Sequence, residues 1–287
     1  MTRPETARIV HETVFAGGQR IAYQQAGPVD GPVVLLLHGL ASDSATWDKA
    51  IAPLAERGLR VFALDLIGHG RSAKPVGPYL LDDFAESLEA FMVALDLPAA
   101  TLCGHSLGGA VAVHFGFRFP RRVQRLVLVS AGGLGREVHL LLRAAALPVA
   151  PRVLDAALRP ALLRFYARPR LHRALRLTPD NLVNLRRAGR ALGTAEGRSS
   201  FFAALRGVIE PGGQRGSFIE MQTLADHVPT MLVWAEHDPV IPVAHARAAH
   251  AHLPSSRLVV FPGASHEPHR RDAPRFAAEV ADFIASS

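Results

Sequence analysis

Three residue types that nucleophilic catalysis requires lie just after apolar segments of the chain. Ser106 lies in Gly104-His-Ser-Leu-Gly-Gly109, Asp238 lies after the apolar segment 230–234, and His266 lies after the last such segment. A serine hydroxyl is a weak nucleophile at neutral pH, so it needs a histidine as general base. The histidine needs a carboxylate that holds its tautomer and stabilises its charged form. These residues predict an acyl-transfer centre with Ser106 as nucleophile, His266 as general acid and base, and Asp238 as orienting carboxylate.

The glycines around Ser106 follow the pattern Gly-x-Ser-x-Gly. This pattern suits a sharp turn between a strand and a helix, because small residues let the two elements approach while the serine stands above the sheet. The pattern also occurs by chance. Here an apolar segment precedes it and a helical pattern follows it, which makes it much more specific. The alternative, a glycine-rich turn with an inert serine, requires the other matches to be accidents.

Two other acids compete with Asp238. Glu236 lies two residues earlier in the same segment, and Asp65 follows another apolar segment. The simpler role for Asp65 is to anchor the turn before Gly68. No acid directly follows the segment Val123–Val129, where the next residues are Ser-Ala-Gly-Gly.

Strand patterns alternate with helical patterns over most of the chain. This alternation predicts an α/β fold with a mostly parallel central sheet flanked by helices. Ligands of such sheets bind at the carboxyl ends of the strands, where Ser106, Asp238 and His266 would meet. The predicted strands are His11–Phe15, Arg20–Gln25, Val33–Leu37, Val61–Leu64, Thr101–Gly104, Val123–Val129, Thr230–Trp234 and Leu258–Phe261. The predicted helices are Trp47–Arg57, Leu81–Leu95, Leu107–Phe119, Ala244–Leu253 and Pro274–Ile284.

The middle of the chain breaks this alternation. It shows no convincing strand and offers amphipathic stretches at Val153–Ala167 and Leu182–Leu192, interrupted by prolines. From Leu134 to Gly216 there are 15 arginines, no lysine and five acids, a net charge of +10 in a chain of net charge +7. We therefore expect a core made of residues 1–133 and 226–287, and an inserted helical cap at residues 134–225. Solvated helices are the simplest role for the arginines, and recognition of an anionic substrate or lipid is the alternative.

Together these residues resemble the α/β-hydrolase fold family, in its serine-nucleophile branch. His38-Gly39-Leu40 resembles the family's oxyanion loop, and Asp65-Leu-Ile-Gly-His-Gly-Arg-Ser72 resembles the turn after its next strand. The chain order Ser, Asp, His and the position of the inserted segment also match, so that the resemblance covers nearly the whole core. It implies an oxyanion hole formed by the backbone N–H groups of Leu40 and Leu107. It also favours Asp238 over Glu236, because the offset of Asp238 from Trp234 matches the family pattern.

The resemblance narrows the reaction. Family members that displace halide or open epoxides have an aspartate as nucleophile, whereas this chain has Ser106. We therefore expect an esterase or lipase-like enzyme that hydrolyses carboxylic esters of small-to-medium apolar substrates through an acyl-enzyme. The alternatives are a carbon–carbon bond hydrolase of ring-cleavage diketones, a thioesterase or acyltransferase, and a non-catalytic ligand-binding member of the fold.

Composition and missing motifs exclude several other classes. Apolar residues make up 49% of the 287 residues and charged residues 20%, which excludes a disordered chain. The single cysteine, Cys103, excludes an intrachain disulfide. Phosphate-binding glycine loops do not occur, so we expect no cofactor. Arginine occurs along the whole chain and no nucleic-acid-binding motif is present, so we expect a small-molecule partner and no nucleic acid.

Neither the histidines nor the apolar segments of the chain have the spacing of a metal site or a membrane span. There are 14 histidines, but His266-Glu-Pro-His269 is not His-Glu-x-x-His, and His245, His250 and His252 do not share a helix face. We therefore expect no metal site. No segment reaches 18 consecutive apolar residues, and the first ten residues do not resemble a secretion signal. We expect no integral membrane segment and a cytoplasmic location, and the sequence says nothing of the oligomeric state.

Overall fold

A computed structural model describes residues 8–157, 189–215, 224 and 227–286. The described strands are β1 Val10–Ala16, β2 Gln19–Ala26, β3 Val33–Leu37, β4 Arg60–Leu64, β5 Ala100–His105, β6 Val123–Val129, β7 Ile209–Glu210, β8 Gly213–Gln214, β9 Thr230–Ala235 and β10 Arg257–Phe261. The described α-helices are α1 Asp48–Ala55, α2 Leu81–Ala94, α3 Leu107–Arg118, α4 Leu140–Ala145, α5 Ala150–Ala157, α6 Ala195–Val208, α7 Val243–His252, α8 Pro268–Arg271 and α9 Ala273–Ala285. Short 3-10 helices span Ser44–Trp47 and Pro120–Arg122.

Eight strands form the central sheet in the order β1-β2-β4-β3-β5-β6-β9-β10. The strands from β4 to β10 in this order are mutually parallel, whereas β2 pairs antiparallel with β1 and with β4. The β1–β2 hairpin turns at Gly17 and Gly18, whose φ angles are 57° and 75°. Two consecutive positive φ angles favour glycine and match the twist of a hairpin. The predicted α/β class with a mostly parallel sheet is confirmed.

Helices cover both faces of this sheet. Successive residues of β3 point to opposite faces, so Leu35 and Leu37 join one buried cluster while Val34 and Leu36 join the other. Helices α2, α3 and α7 pack on the first face, and α1 and α9 pack on the second. Because both faces are buried, β3 is a continuous apolar run rather than an alternating one. Its neighbour β5 is buried throughout and leads directly into Ser106.

The inserted segment is described at 134–157, 189–215 and 224. Contrary to the expectation of no strand, it contains the two-stranded ribbon β7–β8. Each strand has only two residues, too few to display an alternating pattern in the sequence. Pro151 occupies the first turn of α5, where its missing N–H costs nothing, and so starts a helix rather than breaking one. The stretches Val153–Ala167, beyond residue 157, and Leu182–Leu192, before residue 189, lie outside the described residues. The boundaries of the core and cap at 134 and 225 remain predictions.

Candidate active site

Ser106 lies on the turn between β5 and α3. Its φ of 54° and ψ of −116° place a residue with a side chain in a region that favours glycine, which stores strain. Surrounding backbone hydrogen bonds hold this conformation. The N–H of Ser106 donates to the carbonyl oxygen of Val129 (3.0 Å), and the carbonyl oxygen of Ser106 accepts from the N–H of Gly109 (3.0 Å) and of Gly132 (2.9 Å). The turn is therefore fixed to both the helix and the neighbouring strand.

The flanking glycines allow the strand and the helix to approach. A Cβ atom at Gly104 would collide with the backbone oxygen of Gly108, and one at Gly108 would collide with the backbone oxygen of Leu37. A methyl group at either position would push α3 away from the sheet. These contacts give the physical reason for the Gly-x-Ser-x-Gly spacing.

His266 and Asp238 form a close pair at the same edge of the sheet. His266 Nδ1 lies 2.8 Å from Asp238 Oδ2 and 3.0 Å from Oδ1. Asp238 Oδ1 also accepts from the backbone N–H of Val240 (2.8 Å) and of Ile241 (3.0 Å). Burial alone would raise the pKa of Asp238, but the hydrogen bond and charge of His266 and these two N–H groups hold that pKa below its usual value. The carboxylate therefore stays ionised beside the imidazole.

The competing acids have different partners. Glu236 is half-exposed and accepts from the N–H of Gly263 (3.3 Å), so it ties together the loops that carry Asp238 and His266. Asp65 is buried and accepts from the N–H groups of Ser44 (2.8 Å) and Arg71 (2.7 Å), which anchors the turn after β4. Of the three acids, only Asp238 hydrogen bonds to His266 among the described residues.

The nucleophile's neighbour joins the two halves of the site. His105 precedes Ser106, and its Nε2 lies 2.9 Å from the backbone oxygen of His266. The two imidazole rings lie 4.7 Å apart between centroids. The structure thus brings the loop of His266 against the turn of Ser106. Within the described residues it does not join Ser106 Oγ to His266 by a hydrogen bond of 3.5 Å or less; such bonds are often long before substrate binds.

Leu40 and Leu107 line the same small cavity as Ser106. Leu107 is the first residue of α3, and Leu40 follows β3, the strand next to β5. A Cβ atom at Gly39 would lie 3.1 Å from Ser106 Cβ, so the two turns are in contact. Neither the N–H of Leu40 nor that of Leu107 donates a hydrogen bond to any described residue. Two unpaired donors beside a serine form an arrangement suited to an oxyanion.

Two cavities differ in their lining. One of about 40 Å³ contains Ser106 and is mainly apolar. Its lining includes Leu40, Val138, Leu142 and Ile241. A larger one of about 540 Å³ contains Asp65 and other charged side chains but not Ser106, Asp238 or His266. Of these two cavities, the small apolar one is the one that borders Ser106.

The three histidines considered together as metal ligands each have a separate partner. His245 Nε2 lies 2.7 Å from Glu137 Oε2, His250 Nδ1 lies 2.9 Å from Ser256 Oγ, and His252 Nδ1 lies 2.8 Å from the oxygen of Ala248. In the described ranges, no group of three or more histidine, cysteine or acidic side chains is arranged to hold a metal ion.

Cys103 is buried within β5, and burial raises the pKa of its thiol, so that it packs as a small apolar residue.

His38 joins two loops beside the site through hydrogen bonds. Its Nε2 accepts from the N–H of Leu66 (3.0 Å), so its Nδ1 must carry the proton and donate to the oxygen of Gly39 (2.7 Å).

Nothing in the sequence indicated a role for Gln214. Its side chain accepts from the N–H of Gly133 (3.1 Å) and donates to the oxygen of Glu137 (3.0 Å), which ties β8 to the segment after β6. A lone glutamine in an Arg-rich segment gives no sequence signal for such a role.

Comparisons with known proteins agree with the observed fold. A family model described as the alpha/beta hydrolase fold matches residues 32–270. An uncharacterized protein of Mycobacterium tuberculosis is 36% identical over 276 residues, which cover 93% of this chain and 79% of the relative. The 3-oxoadipate enol-lactonase 2 of Acinetobacter baylyi is 27% identical, with 89% of each chain covered.

Solved structures show the same fold. A meta-cleavage product hydrolase from Pseudomonas fluorescens superposes with a TM-score of 0.73 at 23% identity, covering 96% of this chain and 97% of that one. Among the described helices, none is both long and apolar enough to cross a membrane.

Proposed function

Because the chain belongs to the α/β-hydrolase fold family, we propose that it is a serine hydrolase that cleaves carboxylic esters of small-to-medium apolar substrates. The observation that carries the proposal is the pair of His266 and Asp238, 2.8 Å apart, held against the strained turn of Ser106. Ser106 is the nucleophile, His266 the general acid and base, and Asp238 the orienting carboxylate. Residues 134–225 serve as the cap, and no cofactor takes part.

The first half of the reaction forms an acyl-enzyme. His266 Nε2 takes the proton of Ser106 Oγ as the oxygen attacks the ester carbonyl carbon. Asp238 holds the proton on Nδ1 and stabilises the imidazolium. The carbonyl oxygen becomes an oxyanion, which accepts from the N–H groups of Leu40 and Leu107; each such donor is worth about 10²–10³ in rate. The imidazolium then gives its proton to the departing alkoxide, and the alcohol leaves.

The second half releases the acid. A water molecule loses a proton to His266 Nε2 and attacks the acyl carbon, and the oxyanion forms again at the same two N–H groups. Collapse breaks the bond to Ser106 Oγ, which regains its proton from His266. The carboxylic acid leaves, and every group returns to its starting state.

One relative favours ester cleavage, and the lining of the cavity favours an apolar substrate. The Acinetobacter baylyi relative is named as an enol-lactonase, and a lactone is an internal ester. The side chains around the small cavity at Ser106 are mainly apolar, which favours an apolar over a charged group beside the nucleophile. A small-molecule substrate and a cytoplasmic location complete the proposal.

Carbon–carbon bond cleavage is the second candidate. The structural neighbour from Pseudomonas fluorescens is named as a meta-cleavage product hydrolase, and it covers nearly the whole chain. At 23% identity this likeness concerns the fold. The same three side chains would serve that reaction, so the substrate panel must separate the two.

A serine-directed fluorophosphonate tests the proposal. We expect the native chain to incorporate the probe at Ser106 and the Ser106→Ala variant, shown to be folded by circular dichroism, to incorporate none. Turnover of aryl esters, lactones, thioesters and ring-cleavage dienoates then identifies the bond. A folded native chain that neither labels nor turns over any ester would overturn the proposal in favour of a ligand-binding role.

A further inference from the structure

His105 lies where the nucleophile's turn meets the loop of His266. Its Nε2 is 2.9 Å from the backbone oxygen of His266, a residue 161 positions later in the chain. His105 itself is buried, with its ring 4.7 Å from the His266 ring and 4.8 Å from the His269 ring. The contact therefore spans the two loops within a closed part of the molecule.

The proton on His105 can be assigned from its partner. A carbonyl oxygen only accepts, so Nε2 must carry the hydrogen and donate it to His266. The other nitrogen, Nδ1, is buried and has no hydrogen-bond partner among the described residues. Burial, and next the neighbouring His266, lower the pKa of His105 to about 4. His105 is thus a neutral donor at neutral pH, and it adds no positive charge beside His266 when that ring is protonated during the reaction.

Other elements packed against this region bear charged groups that are already paired. Glu267, the residue after His266, accepts from Thr46 Oγ1 (3.0 Å) and pairs with Arg270 (3.5 Å). Asp238 is bound to His266 Nδ1 and to two backbone N–H groups. These contacts anchor the residue that follows His266 and the far side of its ring. The bond from His105 is different, because it comes from the residue covalently joined to Ser106.

We propose that His105 is a positioning residue that fixes the backbone of His266 relative to the Ser106 hydroxyl. The inference rests on the proposed serine hydrolase function. The donor and the nucleophile are adjacent in the chain, so the bond sets the distance between the hydroxyl and its base directly. A displacement of about 1 Å between reacting groups can cost about 10²-fold in rate.

A matched pair of substitutions tests the role. In His105→Gln the side-chain amide nitrogen is as many bonds from the backbone as Nε2, so it can donate to the His266 oxygen. His105→Met has nearly the same length and no donor. We expect H105Q to keep kcat for an aryl ester within about threefold of native and H105M to lose at least about tenfold, with KM changed by less than about threefold in both. The fluorophosphonate labelling rates should follow kcat.

Equal kcat values for folded H105Q and H105M would overturn the inference, as would a loss of more than about tenfold in folded H105Q. Thermal unfolding is recorded for each variant. Should H105M fail to fold, His105→Asn takes its place, because its amide nitrogen is one bond closer to the backbone than Nε2 and does not reach the His266 oxygen. Native activity of H105N would then overturn the inference. If the native chain does not incorporate the fluorophosphonate, the proposed function is wrong. If the native chain incorporates it but H105Q and H105M have equal kcat, only the role of His105 is wrong.

Discussion

Two buried carboxylates at the same edge of the sheet each bind two backbone N–H groups, but only one of them also binds an imidazole. Asp65 follows β4 and Asp238 follows β9, and both side chains are almost fully buried. The two oxygens of Asp65 accept from the backbone N–H groups of Ser44 and Arg71, at 2.8 and 2.7 Å. In Asp238 both backbone N–H groups donate to the same oxygen, Oδ1. The other oxygen, Oδ2, is the one nearest to the ring of His266, at 2.8 Å from Nδ1.

The comparison teaches that burial and charge do not by themselves mark a catalytic acid. Burial alone would raise both pKa values, yet hydrogen bonds lower both of them. For Asp65 the hydroxyl and N–H of Ser44 and the N–H of Arg71 lower the pKa, whereas for Asp238 the imidazole of His266 comes first. A carboxylate that binds backbone donors fixes a turn. One that binds an imidazole can also orient a proton.

The largest effect is expected for Asp238→Asn. If the amide at this position donates to His266 Nδ1, the ring carries its proton on Nε2, which is the wrong tautomer for a general base. If the amide accepts from Nδ1 instead, the imidazolium loses the negative charge that stabilises it. We expect kcat for an aryl ester to fall by about 10⁴ while the fold is kept. Steady-state kinetics and near-ultraviolet circular dichroism measure the two quantities.

Glu236→Gln is the matched control for this prediction. Glu236 is two residues away and half-exposed, and its hydrogen bond to the N–H of Gly263 is long, at 3.3 Å. We expect its kcat to stay within about threefold of native. If E236Q were the damaging change and D238N were harmless, the acid would be misassigned.

Asp65→Asn should show the reverse pattern, with a cost in stability rather than turnover. Its amide nitrogen would face the N–H of Ser44 or Arg71 and leave a buried donor unpaired. We expect the free energy of unfolding at neutral pH to fall by about 2–3 kcal/mol. We expect kcat of the folded fraction to change by less than about threefold. Urea unfolding and active-site titration measure the two; a large loss of kcat with unchanged stability would erase the contrast with Asp238.

The sequence predicted the parts of the site that local patterns encode. Ser106 could be predicted because the close approach of α3 to β5 requires glycines on both sides of it. Strand β3 could be predicted because a strand buried on both faces is a run of apolar residues. The positions of Asp238 and His266 followed from the ends of apolar segments. That they bond to each other is a fact of strand order, in which β9 and β10 are neighbours, and sequence spacing does not state that order.

Contacts between distant segments were beyond sequence reasoning. The bond from His105 to His266 and the bonds of Gln214 to Gly133 and Glu137 join residues far apart in the chain. Neither residue type identifies its distant partner in a sequence. The ribbon β7–β8 was missed for a different reason, because two residues per strand cannot show a period of two. Helices α4, α5 and α6 lie in the described part of residues 134–225, whose role as an inserted cap stays a prediction.

The pH dependence of the unfolding free energy gives a second test of the stabilising role of Asp65. Its pKa in the folded chain is below its ordinary value, so the stability it contributes is fully present above the unfolded pKa of about 4 and is lost as the pH falls through the folded value. The asparagine variant has no such contribution. We therefore expect the difference in unfolding free energy between native and D65N to be constant from pH 6 to 7 and to narrow below about pH 4. Urea unfolding across pH 3–7 measures it, and a difference that widens in acid would have the wrong sign.

The smallest effect is expected for the guanidinium of Arg71. Its Nε lies 3.6 Å from Asp65 Oδ2 and its side chain is 54% exposed, whereas its backbone N–H lies only 2.7 Å from the same oxygen. An exposed ion pair contributes little, because solvent screens it and two long side chains lose freedom. Arg71→Gln keeps the backbone donor, so we expect it to change the free energy of unfolding by no more than about 0.5 kcal/mol. If R71Q instead cost as much as D65N, the turn would depend on the ion pair, and the distinction between backbone-bound and side-chain-bound carboxylates would fail at Asp65.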